Sequence, residues 1–342
     1  MDSKSRILVI YTGGTIGMMM DKKSGTLQPL EFEHMSQLIP ELKDCDYELD
    51  YISFEPTVDS SNMGPSRWVE LAVIIEDHYE SFDGFVVLHG SDTMAYTASA
   101  LSFMLENLNK PVIITGSQLP LGVNRTDGKE NFITSVEIAS HHEDETPLVP
   151  EVCIYFENEL YRGNRTFKYN AENFDAFRSV NYPVLAEVGV YIKYNRTAIR
   201  KPNFKKLKVH KKLDTSVAIL KLFPGIGDDV VKGTLSMPGL KALVMETYGT
   251  GNTHTDESFI AIIRDAIEKG LFILNITQCK GGAVEHGKYE ASLPLAEAGV
   301  ISGFDMTLEA AVTKLMFLLG QGYTGNRLNK AIQSSLRGEL GS

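Results

Sequence analysis

The strongest constraint on this chain is a pattern repeated through its first half: a short apolar run that ends abruptly in glycine, serine, threonine or aspartate. Arg6-Ile7-Leu8-Val9-Ile10 runs into Tyr11-Thr12-Gly13-Gly14-Thr15-Ile16-Gly17, and residues 85–89 run into Gly90-Ser91-Asp92-Thr93. Residues 111–114 lead into Thr115-Gly116-Ser117, and residues 152–156 are followed by Asn158 and then by the stretch from Arg162 to Lys168. Runs this short and this apolar read as buried strands. Residues 47–55 add a weakly alternating strand before Pro56 and the turn Asp59-Ser60-Ser61-Asn62. Between the strands lie helical patterns: Trp68, Leu71, Ala72, Ile75 and Tyr79 after Pro65, a face read as core, and residues 95–108. Strands alternating with helices make parallel βαβ units.

In a parallel sheet every strand ends on the same edge, and ligands bind in the crevice outside that edge. Thr15, Asp59-Ser60-Ser61 and Ser91-Asp92 each follow a strand, so three distant segments are expected to converge in one crevice, with Lys168 within reach. The glycines of the first turn permit positive φ and close backbone approach. Each hydroxyl also has a plainer reading, Thr15 as a helix N-cap and Ser91-Asp92 as the cap of the next helix. Residues 18–27 are polar at the centre and lack helical period. They read as a mobile loop or loose hairpin, either a lid beside Thr15 or a surface excursion.

With 342 residues, 43% of them hydrophobic, the chain can bury a core without disulfide or metal staples. Its net charge of -11 argues against nucleic acid as a partner. The exception is residues 193–212, with nine Lys or Arg and no Asp or Glu. This stretch reads as an interdomain linker, because no aromatic platform accompanies the charge. Beyond it a second α/β pattern follows, with runs at 217–222, 242–245 and 271–275 and helices at 259–269 and 307–319. The expected architecture is therefore two α/β domains. The larger, over 1–192, has a mostly parallel sheet flanked by helices and carries the catalytic motifs. A basic linker over 193–212 leads to a smaller parallel-sheet domain over 213–342. Three dispersed cysteines, Cys45, Cys153 and Cys279, suggest a reducing compartment. No secretion signal or apolar run of roughly 18 residues is present, so a cytoplasmic protein without membrane contact is expected.

The candidate site holds hydroxyls (Thr15, Ser91), carboxylates (Asp59, Asp92), an amine (Lys168) and glycine-flanked N–H groups, those of Gly14 and Gly90 among them. His89, at a buried strand end, reads as a packed core residue. Without histidine a hydroxyl needs another base, and a buried lysine oriented by an aspartate can serve: Ser91, Lys168 and Asp92 form such a relay. The glycine turns would supply N–H groups for an oxyanion. No G-K-[ST] phosphate loop, full G-x-G-x-x-G or clustered Cys/His spacing is present, so neither cofactor nor metal is expected.

Thr12-Gly13-Gly14-Thr15-Ile16-Gly17, Asp59-Ser60-Ser61-Asn62-Met63 and His89-Gly90-Ser91-Asp92-Thr93-Met94-Ala95-Tyr96-Thr97, in that order, resemble the bacterial-type L-asparaginases, most closely the cytoplasmic type I branch. Supporting blocks are Thr115-Gly116-Ser117-Gln118, Tyr161 to Thr166, Glu246-Thr247-Tyr248-Gly249-Thr250-Gly251-Asn252 and Ala298 to Thr307. The resemblance implies hydrolysis of L-asparagine to L-aspartate and ammonia through an acyl-enzyme on Thr15. It also implies that Asp59, Ser60 and Ser61 hold the substrate's α-carboxylate and α-amino groups.

Two positions depart from the family. Ser91 stands where a threonine is usual, keeping the hydroxyl and losing the methyl that restricts its rotamer. The mobile loop lacks the family's tyrosine, leaving Thr26 or a more distant phenol, Tyr289, as the substitute. The resemblance further implies a homo-dimer or homotetramer in which Asn252 completes a neighbour's site. Glu246 occupies the position of an arginine used for asparagine activation in some type I enzymes, which argues against that regulation. Two other functions are compatible with the motifs. One is an asparaginase-like subunit of a tRNA-dependent amidotransferase, for which an extra N-terminal domain is expected and no room is found. The other is an asparagine-binding module without turnover.

Overall fold

Ile7, Leu8, Val9 and Ile10 are all inaccessible to solvent, because the strand they form lies inside a sheet covered on both faces. The computed structural model describes residues 4–20, 27–29, 39–44, 46–285 and 292–341, and the chain divides into two units, Met1–Lys211 and Lys212–Ser342. In the first unit eight strands form one sheet: β1 (Ser5–Tyr11), β2 (Tyr47–Ser53), β3 (Gly84–Leu88), β4 (Val112–Thr115), β5 (Val152–Phe156), β6 (Glu159–Arg162), β7 (Ala186–Val188) and β8 (Ile192–Tyr194). Their order is β2-β1-β3-β4-β5-β6-β7-β8; the first five are parallel and the last three return antiparallel. The chain steps from β1 to β2 on one side and then crosses to β3 on the other. The gap between β1 and β3 is thus the topological switch point at which doubly wound sheets take their ligands.

Registers set Tyr11 beside both Ser53 and Leu88, and Leu88 beside Thr115, so four carboxyl ends are level. One face of the sheet packs Val9, Tyr11, Val86, Leu88, Ile113 and Tyr155 with Phe132 and Val136 of α3 (Gly128–Ser140). The alternate residues Leu8, Ile10, Phe85, Val87 and Ile114 are equally buried. Each such side chain contributes roughly 1.5–3 kcal/mol. Pro65 opens α1 (Pro65–His78), which buries Trp68, Leu71, Ala72 and Ile75 as their spacing requires.

Two expectations change here. The helix read over 95–108 is shorter, α2 (Met94–Met104), because Leu105 and Glu106 leave it to pair antiparallel with Lys208 and Val209. The basic stretch read over 193–212 belongs to the first unit as far as Lys211, and only Lys212 falls in the second. A buried pair, Arg162 Nε to Glu151 Oε2 at 2.6 Å, also binds Ala198 O through the guanidinium at 2.9 Å and Arg200 N through the carboxylate at 2.9 Å. Asn109 Oδ1 accepts the N–H groups of Asn203 and Phe204. The lysines give this stretch a linker's composition, while its backbone is bonded like that of a domain.

The second unit is a four-stranded parallel sheet, β9 (Val217–Lys221), β10 (Ala242–Thr247), β11 (Phe272–Thr277) and β12 (Ile301–Ser302), in sequence order. Leu243, Met245 and Ile273 pack against Val231 of α4 (Asp228–Leu235) and Phe259 and Ile263 of α5 (Glu257–Glu268). The short α6 (Leu293–Glu297) precedes β12, and α7 (Leu308–Gly320) and α8 (Gly325–Ile332) follow it. Lys314 on α7 is wholly buried and donates to Ile332 O, Ser334 O and Glu339, which anchors the C-terminal segment. Among the described residues no helix is long and apolar enough to cross a membrane.

Candidate active site

Glycines decide how closely the three turns approach. Gly13 and Gly14 have φ of +135° and +93°, values that a side chain disfavours. A Cβ on Gly14 would lie 2.5 Å from Gly90 N, and one on Gly90 would lie 2.5 Å from Ser60 Oγ. The turn after β1 therefore rests on the turn after β3, which rests on the turn after β2. Hydrogen bonds complete the seam: Val58 N donates to Thr12 O at 2.7 Å, Thr12 Oγ1 to Leu88 O at 3.0 Å, and Thr93 Oγ1 to Ser60 O at 2.6 Å. The convergence expected from strand ends is present in the backbone.

Neither capping alternative is realised. Gly14 is the residue before the 3-10 turn Thr15–Gly17, and no side chain caps it. Among the described residues the Thr15 hydroxyl has no hydrogen-bond partner, and the residue is half-buried. Thr93 occupies the N-cap of α2, but its hydroxyl goes to Ser60 O. Ser91 and Asp92 meet Lys168, whose Nζ lies 2.9 Å from Ser91 Oγ and 2.7 Å from Asp92 Oδ1. Lys168 is held by an antiparallel pairing of Phe167–Lys168 with Phe177–Arg178. Its side chain is 18% exposed against 67% for Asp92. A pair this wet on one side gives orientation more than stability.

Asp59 caps the turn Ser60–Asn62, accepting Ser61 N–H at 2.8 Å and Ser61 Oγ–H at 2.6 Å. The Ser61 hydroxyl and backbone bonds hold the Asp59 carboxyl below its usual range. It is exposed and ionised, suited to an ammonium group. Ser60 is buried, with its Oγ turned toward Gly90.

His89 is fully buried, and burial pushes its imidazole down to about 4. It takes no part in the hydroxyl–lysine group. Tyr11 is buried beneath the first turn, its phenol pushed up to about 12 by desolvation and donating to Gly14 O at 3.3 Å. In the sequence Tyr11 carries no signal beyond its place between the first apolar run and the glycines of the first turn. Thr26 and Tyr289 lie outside the described residues. Asn252 belongs to the second unit, where its Oδ1 is buried without a partner among the described residues, as is Thr253 Oγ1 beside it. Glu246, also in that unit, is buried at the end of β10. Among the described residues no group of three or more His, Cys, Asp or Glu side chains is placed to hold a metal ion.

Comparison with known proteins places this geometry among relatives. The N-terminal asparaginase domain profile matches residues 6–200, and the glutaminase/asparaginase C-terminal domain profile matches residues 216–332. L-asparaginase 1 of Escherichia coli strain K12 is 42% identical over 338 residues, covering 98% of each chain. The 60 kDa lysophospholipase of Mus musculus is 42% identical over 365 residues, 99% of this chain and 63% of that protein. The crystal structure of L-asparaginase I from Vibrio cholerae superposes with a TM-score of 0.89 at 39% identity, covering 99% of this chain and all of that one.

Proposed function

Since the chain belongs to the asparaginase family, we propose that it hydrolyses L-asparagine to L-aspartate and ammonia, with Thr15 as the nucleophile. In this scheme Asp59 receives the substrate's α-ammonium, and the Ser60 and Ser61 turn receives its α-carboxylate. Thr15 Oγ attacks the side-chain amide carbon and gives up its proton. The carbonyl oxygen becomes an oxyanion facing the N–H groups of the glycine turns. Lys168, oriented by Asp92, exchanges protons through the Ser91 hydroxyl, so that nitrogen leaves as ammonia when the C–N bond breaks. Water then adds to the Thr15 ester, the same relay takes its proton, and cleavage of the ester releases aspartate.

The observation that carries this reading is the placement of Lys168 Nζ within hydrogen-bond distance of both Ser91 and Asp92, on a turn that touches Gly14 next to Thr15. On the same reading the enzyme acts in the cytoplasm, which suits its free thiols Cys153 and Cys279. It assembles as a homo-dimer or homotetramer, and Asn252 Oδ1, without a partner among the described residues, is the group offered to a neighbouring copy.

The test is ammonia release from L-asparagine and L-glutamine by wild type, Thr15→Val and Lys168→Met. Asparagine-selective release is expected, abolished in Thr15→Val and reduced by on the order of 10²- to 10⁴-fold in Lys168→Met. An active Thr15→Val variant would remove the nucleophile. Asparagine binding without release by wild type would leave a binding protein on this scaffold.

A further inference from the structure

The backbone that carries Ser91 is held from beneath by a side chain that the reaction scheme leaves unused. His89 Nδ1 lies 2.6 Å from Gly90 O and its Nε2 2.9 Å from Thr97 Oγ1; the Trp68 indole N–H donates to the same Thr97 oxygen at 3.0 Å. A carbonyl only accepts, so Nδ1 carries the proton. The deeply buried imidazole is neutral, so Nε2 is an acceptor and the Thr97 hydroxyl must donate to it. The Trp68 N–H fills the acceptor side of that hydroxyl. Proton donation thus runs one way, from Trp68 to Thr97 to His89 to Gly90 O.

The direction has a geometric consequence. In a trans peptide the C=O and N–H point oppositely. Gly90 O held against His89 turns the Ser91 N–H away from the core and fixes where Ser91 Cα starts. His89 is itself fixed, since its N–H donates to Thr115 O at 2.9 Å and a Cβ on Gly116 would sit 2.3 Å from its carbonyl oxygen. The first turn repeats the device more weakly: Tyr11, at the end of β1, donates to the carbonyl of Gly14, the glycine before Thr15. Thr15 and Ser91 are each preceded by a glycine whose carbonyl is bonded to a buried side chain at the foot of the turn.

We propose that His89, oriented by Thr97 and Trp68, is a positioning residue: it fixes the Gly90–Ser91 peptide and thereby holds the Ser91 hydroxyl beside Lys168. This rests on the amidohydrolase reading above. Ser91, lacking the methyl group of a threonine, depends on its backbone for placement, because its own rotamer is less restricted. A misplacement of about 1 Å at such a group costs on the order of 10²-fold in rate.

The experiment compares steady-state ammonia release by wild type, His89→Leu, His89→Asn and His89→Gln, each checked for folding by its thermal midpoint. Asparagine places an amide nitrogen near the Nδ1 position and keeps the bond to Gly90 O. Glutamine reaches the Nε2 position and keeps only the bond to Thr97. In His89→Leu kcat is expected to fall roughly 10- to 100-fold with KM changed less than about threefold. His89→Asn restores most of kcat and His89→Gln does not. Equal kcat for the Asn and Gln variants, or wild-type kcat in His89→Leu, overturns the proposal, and the Asn–Gln comparison decides if the Leu variant fails to fold. A wild type that releases no ammonia overturns the amidohydrolase reading itself, an outcome distinct from any pattern among the variants.

Discussion

The carboxyl edges of the two parallel sheets are built on opposite principles. In the first unit the turns interlock: Gly14 against Gly90, Gly90 against Ser60, Thr93 bonded to Ser60 O, and Lys168 bonded to Ser91 and Asp92. In the second unit the edge carries charge and loose ends. Glu309 is within electrostatic reach of both Glu246 and Lys280, while Asn252 Oδ1 and Thr253 Oγ1 are buried with no partner among the described residues. Buried polar atoms are rarely left unpaired. An edge whose turns lock one another can hold a reacting geometry alone, whereas the second edge holds groups that no described residue of its own chain satisfies.

The largest contrast is expected from glycine substitution. Gly14→Ala adds a Cβ 2.5 Å from Gly90 N at φ +93°, so it combines steric overlap with backbone strain. It is expected to cost about 3 kcal/mol or more in urea unfolding and to abolish most ammonia release. Gly249→Ala, at φ +50° on the second edge, meets nothing closer than Asn252 Nδ2 at 4.0 Å. It is expected to cost only the positive-φ strain, roughly 1 kcal/mol. Equal losses would show that the interlocked packing of the first edge is not what distinguishes it.

Much of the first edge was legible because its chemistry is local to strand ends. Glycines and hydroxyls directly after buried runs announce a turn at a sheet edge, and parallel topology gathers such turns wherever they stand in the chain. Lys168 was legible for its charge in a polar stretch after the fourth run. What stayed hidden depends on partners distant in sequence. That Thr93 bonds Ser60 O instead of capping α2, or that residues 198 and 200 close over the Arg162–Glu151 pair, follows from folded distances that no spacing rule contains. His89 was legible as a core residue, but the direction of its hydrogen bonds required Trp68 and Thr97 to be placed.

The two edges also differ in the sign of their pH response. His89 is held near 4 by burial against 6.5 as its ordinary value, so between those values the unfolded chain binds the extra proton. Its contribution is complete above about pH 6.5 and is lost as pH falls toward 4, a change of ~3 kcal/mol. Glu309 behaves oppositely: desolvation holds its carboxyl above the usual range, so the native state keeps a proton that the unfolded chain has released. Its contribution is present below the unfolded pKa and lost as pH rises through the native one. Urea unfolding from pH 4 to 8 should therefore show a shallower acid loss in His89→Asn than in wild type, and added stability at pH 7 in Glu309→Gln. An unchanged acid slope in His89→Asn would mean that other groups dominate acid unfolding.

The smallest effects give the sharpest test, because the same chemical change should have opposite signs on the two edges. Thr93→Val removes a hydroxyl that donates to Ser60 O at 2.6 Å, and is expected to destabilise the chain by about 1 kcal/mol. Thr253→Val removes a buried hydroxyl that bonds nothing among the described residues of its own chain, and is expected to stabilise the isolated chain by about 1 kcal/mol. The measurement is the unfolding free energy of both variants at protein concentrations low and high enough to separate monomer from assembly. If Thr253→Val stabilises the dilute chain but weakens the concentrated one, the missing partner of that hydroxyl lies on a second copy, and the second edge is half of an interface. Destabilisation at every concentration would mean that solvent already satisfies Thr253, and the contrast between the edges would then rest on packing alone.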